Sequence, residues 1–99
     1  MSATSYAVER EENEAGGRYV VRLAPGEEGE MTFRKRGADT IVIDHTGVPR
    51  AFRSKGIARL LVDRMIEDAR AEGTKIVPLC SYVVAQFARH PEWRDLLAG

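Results

Sequence analysis

The sequence predicts an α/β domain with a mixed, α+β-type sheet: four antiparallel strands, a helix, a parallel fifth strand and C-terminal helices. Three observations carry that expectation. Up to residue 47, apolar residues alternate with polar ones or gather in short runs between glycines and prolines. From Ile57 the apolar spacing lengthens to that of a helical stripe. Beyond Gly73 a short apolar run returns at residues 75–79. The 99 residues suit one domain spanning residues 1–99.

Tyr6-Ala7-Val8-Glu9-Arg10 is the first candidate strand, followed by polar residues 11–14 and a break at Gly16-Gly17. Residues 18–23 form the second strand, closed by the turn pair Pro25-Gly26. Residues 30–34 alternate as a half-buried strand does, and 37–39 turn the chain into a fourth strand at 40–46. Short connections favour a meander. In the helix, Ala58, Leu61, Val62, Met65, Ile66 and Ala69 share the apolar face. Arg59, Asp63, Arg64, Glu67, Asp68 and Arg70 are expected on the wet side. Gly73 is placed for a left-handed cap. After the fifth strand, Ser81 is expected to cap a helix running to about Arg89. Pro91 opens a last short helix that buries Trp93, Leu96 and Leu97.

Fifteen basic and fifteen acidic side chains balance, which argues against a broad nucleic-acid surface. No apolar run is long enough for a transmembrane helix, and residues 1–5 lack a signal-peptide pattern. A single cysteine excludes an internal disulfide and fits a cytoplasmic protein, expected to be a monomer or weak dimer. One cysteine and two separated histidines make a metal site an unfavoured expectation.

Strand–helix–strand implies a right-handed crossover, so strands 40–47 and 75–79 should lie parallel and adjacent. Ligands of such units sit beyond the carboxyl ends of the strands. Those ends carry His45-Thr46-Gly47-Val48 and Leu79-Cys80-Ser81. Between them, Arg50, Arg53, Lys55 and Gly56 lead into the helix, whose unpaired amides and positive dipole end suit a phosphate. The bland alternative is a solvated charge cluster around a turn glycine.

The segment Arg53-Ser54-Lys55-Gly56-Ile57-Ala58 resembles the Arg/Gln-x-x-Gly-x-Gly/Ala signature of GNAT-type N-acetyltransferases. Three further motifs resemble a minimal single-domain branch of that superfamily. They are His45-Thr46-Gly47-Val48-Pro49, Pro78-Leu79-Cys80-Ser81-Tyr82-Val83 and His90-Pro91-Glu92-Trp93. The resemblance implies a GNAT-like fold, acetyl-CoA as donor substrate and an amine acceptor. It implies a CoA diphosphate on the backbone of Arg53, Ser54, Lys55, Gly56, Ile57 and Ala58. The pantetheine arm would pass Thr46, Gly47 and Val48, where family strands splay apart. Pro78, without an N–H, offers a local reason for pairing to end there. The stretch Ala85-Gln86-Phe87-Ala88 lacks the tyrosine that larger members use to protonate departing CoA.

Cys80 precedes a helix start, where the dipole favours thiolate, and so is a candidate nucleophile that takes the acetyl group as a thioester. Its alternative is an inert packed thiol. His45, by alternation, shares a face with Ile41 and Ile43, either as a strand-end residue or as a general base. His90 is expected to serve the corner before the last helix. Two rivals to an enzyme stand beside these readings: a non-catalytic CoA- or acyl-CoA-binding or protein-interaction module, and a structural partner pairing through a sheet edge.

Overall fold

The computed structural model describes residues 6–98, so the reading of residues 1–5 lies outside the described residues. One five-stranded sheet has the order β1-β2-β3-β4-β5. β1 (Val8–Glu12), β2 (Gly16–Ala24), β3 (Glu27–Arg36) and β4 (Thr40–Gly47) are antiparallel neighbours, and β5 (Lys75–Pro78) runs parallel to β4. A 3₁₀ segment, Arg50–Lys55, leads into α1 (Ile57–Glu72). After β5 come α2 (Ser81–Arg89) and a second 3₁₀ segment, Pro91–Leu96. The mixed sheet with its helices is the architecture that the two hydrophobic periods predict.

α1 buries Ile57, Leu61, Val62, Met65, Ile66 and Ala69 against Tyr19, Val21, Met31, Phe33, Ile41 and Ile43 of the sheet. Each fully buried aliphatic side chain contributes about 1.5–3 kcal/mol, so this stripe holds α1 in place. Gly73 caps it in the left-handed region at φ 71°. Val83, Phe87, Trp93 and Leu96 extend the same core. His90 makes the corner as expected: it stacks on Trp93 at 4.1 Å, and its Nδ1 lies 2.8 Å from the Gln86 carbonyl. The opposite sheet face carries ion pairs, Arg18 to Glu11, Glu28 and Glu30 among them, which cover fully buried Val20.

Several local expectations change. β1 is shifted towards Glu12, because Arg10 reaches Asp68 and Lys35 reaches Glu12. Gly16 and Gly17 do not break the chain; they open β2, where a Cβ would overlap the backbone of neighbouring strands. The turn is made instead by Asn13, whose Oδ1 accepts from the amides of Ala15 and Gly16. Asp68 leaves the wet face: Tyr19 Oη donates to it at 2.9 Å, and Arg10 and Arg64 pair with it at 3.1 Å. Cys80, not Ser81, occupies the position that caps α2. The final segment is 3₁₀, with Leu97 beyond it, half-buried and bridging to Ile76.

Candidate functional site

The pairing of β4 with β5 runs from Thr40 and Lys75 to Ile43 and Pro78 and stops there, while β4 continues to Gly47. Two local events at Ile43 open this gap. On the β3 side, Phe33 pairs with Ile43 but Thr32 pairs with His45, which leaves Asp44 as the extra residue of a β-bulge. A bulge bends its strand and sharpens the twist. On the β5 side, the amides of Leu79 and Cys80 both donate to the Ile43 carbonyl, at 3.1 and 3.2 Å. The chain thus turns away into α2 at the point where β4 bends.

Pro78 plays a different part from the one its sequence suggests. Lys75 N–H donates to Asp39 O and Leu79 N–H to Ile43 O, so the odd-numbered amides of β5 face β4. The nitrogen of Pro78 therefore points to the outer edge of the sheet. It blunts that edge and takes no donor away from the β4 ladder.

The bulge also moves His45. Directly paired antiparallel residues project to the same side, so Ile43 shares the core face of Phe33 and His45 the opposite face of Thr32. Strict alternation with Ile41 and Ile43 ends at Asp44. His45 is exposed, and its ring folds over Gly47, where a Cβ would stand 2.9 Å from Nε2. Thr46, paired with buried Met31, returns to the core side and faces into the gap.

There Thr46 meets Cys80. The Cys80 sulfur lies 3.3 Å from Thr46 Oγ1, hydrogen-bonding distance for sulfur, and is only half-buried. Burial by itself pushes the thiol up. The Thr46 hydroxyl and the amides of Val83, Tyr82 and Thr46 outweigh it and hold the thiol below its ordinary value. Those amides approach the sulfur without closing a full cap on α2.

On the far side of the gap, Pro49 opens the 3₁₀ segment, with Phe52 N–H donating to its carbonyl at 2.9 Å. Arg53 Nε donates to Val48 O at 3.1 Å and braces the exit from β4. Gly56 then takes φ 74°, a left-handed turn that favours glycine, and α1 begins. The first bond closing its opening turn is Leu60 N–H to Gly56 O at 3.2 Å. The amides of Ile57, Ala58 and Arg59 precede that bond, no side chain caps them, and the first turn holds no acid. Ser54 and Lys55 are exposed beside them, and Ile57 is buried. A helix start of this kind suits an anion. Arg59 is engaged with Asp63 and lies over Trp93.

The structure thus joins Thr46 to Cys80 and gathers Gly47, Val48 and Ile57 around Gly29, while His45 stands on the other face. Beside Gly47 and Pro49, that face holds an open groove of about 670 Å³ with Arg18, Glu27, Glu28 and Glu30 on its walls. Among the described residues no helix is long and apolar enough to cross a membrane, and no cluster of three or more His, Cys, Asp or Glu is arranged for a metal.

A sequence model described as GCN5-related N-acetyl-transferase matches residues 18–96. The fold is similar to the NMR solution structure of a GCN5-like candidate N-acetyltransferase from Staphylococcus aureus. That likeness has a TM-score of 0.70 at 25% identity, covering 92% of this chain and 88% of the other. No curated protein matches the chain.

Proposed function

From the premise that the chain belongs to the GCN5-related N-acetyl-transferase family, we propose that it moves an acetyl group from acetyl-CoA to an amine through a thioester on Cys80. The observation that carries this reading is the half-buried sulfur held 3.3 Å from Thr46 Oγ1 in the gap between β4 and β5. The donor's diphosphate rests on the backbone at Arg53, Ser54, Lys55, Gly56, Ile57 and Ala58, with Arg53 and Lys55 supplying positive charge. Its pantetheine arm runs along Thr46, Gly47 and Val48 into the gap.

The Cys80 thiolate attacks the acetyl carbonyl carbon. A sulfur–carbon bond to Cys80 forms, the bond to the CoA sulfur breaks, and CoA leaves with the electron pair and takes a proton from water. The amine nitrogen then attacks the Cys80 thioester, the cysteine thiolate departs, and the amine's proton passes to His45 as base. An acceptor arriving on the open face enters the groove, where the Glu27 carboxylate suits an amine while Glu28 and Glu30 are paired with Arg18. A thiol that has to stay reduced goes with a cytoplasmic location, and residues 1–99 serve as one catalytic domain.

Mass spectrometry after incubation with acetyl-CoA tests the thioester. An acetyl adduct on Cys80, discharged by amines and missing from Cys80→Ala, is the expected result. An active Cys80→Ala variant with no adduct on the parent overturns the covalent route. One observation favours a second reading, a CoA-binding module without catalysis: residues 85–88 offer no hydroxyl, and Phe87 is buried edge-on to Trp93. Calorimetric CoA binding with no turnover across an amine panel would support that reading.

A further inference from the structure

One position of β3 lies too close to the start of α1 to carry a side chain. Gly29 is buried and pairs with Val21 on the core face. A Cβ there would stand 2.7 Å from Ile57 Cγ2, 3.6 Å from Val48 Cγ2 and 3.8 Å from Gly47 O. Three segments of the site meet at this point: the end of β4, the residue leading into the 3₁₀ segment, and the first residue of α1. Ile57 is 1% exposed and directly follows the left-handed Gly56. Its side chain plugs a hole in β3 that exists because residue 29 has none.

We propose that Gly29 is a positioning residue for the donor site, setting the distance between the α1 amides and the exit of β4. The inference rests on the reading that those amides hold the donor's diphosphate. Gly29 is held by pairing to β2, and the neighbouring Glu30 is paired to both β2 and β4, so the strand resists displacement. The start of α1 is joined to the 3₁₀ segment through a single left-handed glycine and yields more easily. A methyl group at residue 29 would therefore push Ile57 outward, and the amides of Ile57, Ala58 and Arg59 would move with it. Close-packed sites turn such overlaps into backbone shifts.

The test is calorimetry with CoA on four proteins: the parent, Gly29→Ala, Ile57→Leu, and both changes together. Ile57→Leu removes the Cγ2 methyl that Gly29 faces while keeping volume and helix propensity. Gly29→Ala should bind CoA about tenfold more weakly than the parent, and the double variant should recover most of that loss. A Gly29→Ala protein that binds as the parent does overturns the inference, as does a double variant that regains thermal stability without affinity. Should Gly29→Ala fail to fold, Ile57→Ala, which empties the hole, should also weaken CoA binding, and unchanged affinity there overturns the inference. A parent that does not bind CoA at all overturns the donor reading and this inference together. A parent that binds, with every variant its equal, removes the positioning role alone.

Discussion

Thr46 Oγ1 stands 3.3 Å from Cys80 Sγ across the gap that opens beyond Ile43 and Pro78. The two residues come from neighbouring strand ends, and neither would reach the other without the bulge at Asp44. That extra residue returns Thr46 to the core side after His45 has turned to the open face.

Replacing that hydroxyl should weaken the thiolate. The Thr46 hydrogen bond is the foremost of the effects holding the Cys80 thiol down against burial. Thr46→Val keeps shape and removes the donor, so the thiol rises and less thiolate is present at neutral pH. Iodoacetamide alkylation of Cys80 near pH 7 should slow severalfold, and the curve of rate against pH should move to higher pH. An unmoved curve would assign the lowered thiol to the backbone amides of Val83, Tyr82 and Thr46.

Pro78→Ala should leave CoA affinity as it is in the parent. Its nitrogen faces away from β4, so the restored N–H adds nothing to the β4 ladder. Amide exchange at Ile43 and Leu79 should also stay the same. Faster exchange at these positions, or weaker CoA binding, would return Pro78 to the role its sequence context suggests.

Much of the fold was legible because hydrophobic period and turn residues were mutually consistent. The α1 stripe, the Gly73 cap and the parallel fifth strand follow from local spacing. The parts that were not legible depend on register. A bulge at Asp44 has no signature in Thr40-Ile41-Val42-Ile43-Asp44-His45, yet it decides on which face His45 lies. Gly29 looks like a weak point in a strand, and only the approach of Ile57 gives its missing side chain a purpose. The donation from Arg53 to Val48 O likewise joins residues whose motifs are read separately. Asn13 could have been recognised as a turn residue, since its side chain can hydrogen-bond the backbone two residues on.

Asp68 gives the protein a pH-dependent part of its stability. Burial raises this carboxyl, but the Tyr19 hydroxyl, Arg64 and Arg10 prevail and hold it below its ordinary value. Tyr19 in turn is pushed up, by burial first and then by Asp68. A depressed carboxyl stabilises the fold fully above its unfolded value, about 4, and this contribution is lost as pH falls through the folded value. Asp68→Asn should therefore cost about 1–3 kcal/mol at pH 7. Urea titrations of parent and variant should converge as pH drops below about 4. A constant difference from pH 7 to pH 3 would mean that packing, and not charge, is what Asp68 provides.

His45 and Cys80 lie on opposite sides of the bulge, so the two halves of the proposed reaction should separate by mutation. Acetylation of Cys80 needs the thiol, Thr46 and the donor, none of which His45 touches among the described contacts. In the proposed reaction the amine's proton is removed on the acceptor side, where His45 folds over Gly47. His45→Gln should thus form the Cys80 acetyl adduct at the parent's rate while discharging it to amines tenfold to about a hundredfold more slowly. Quenched-flow mass spectrometry follows both steps in one experiment. A variant that discharges at the parent's rate removes His45 as base, and one that cannot load Cys80 would place His45 on the donor side after all.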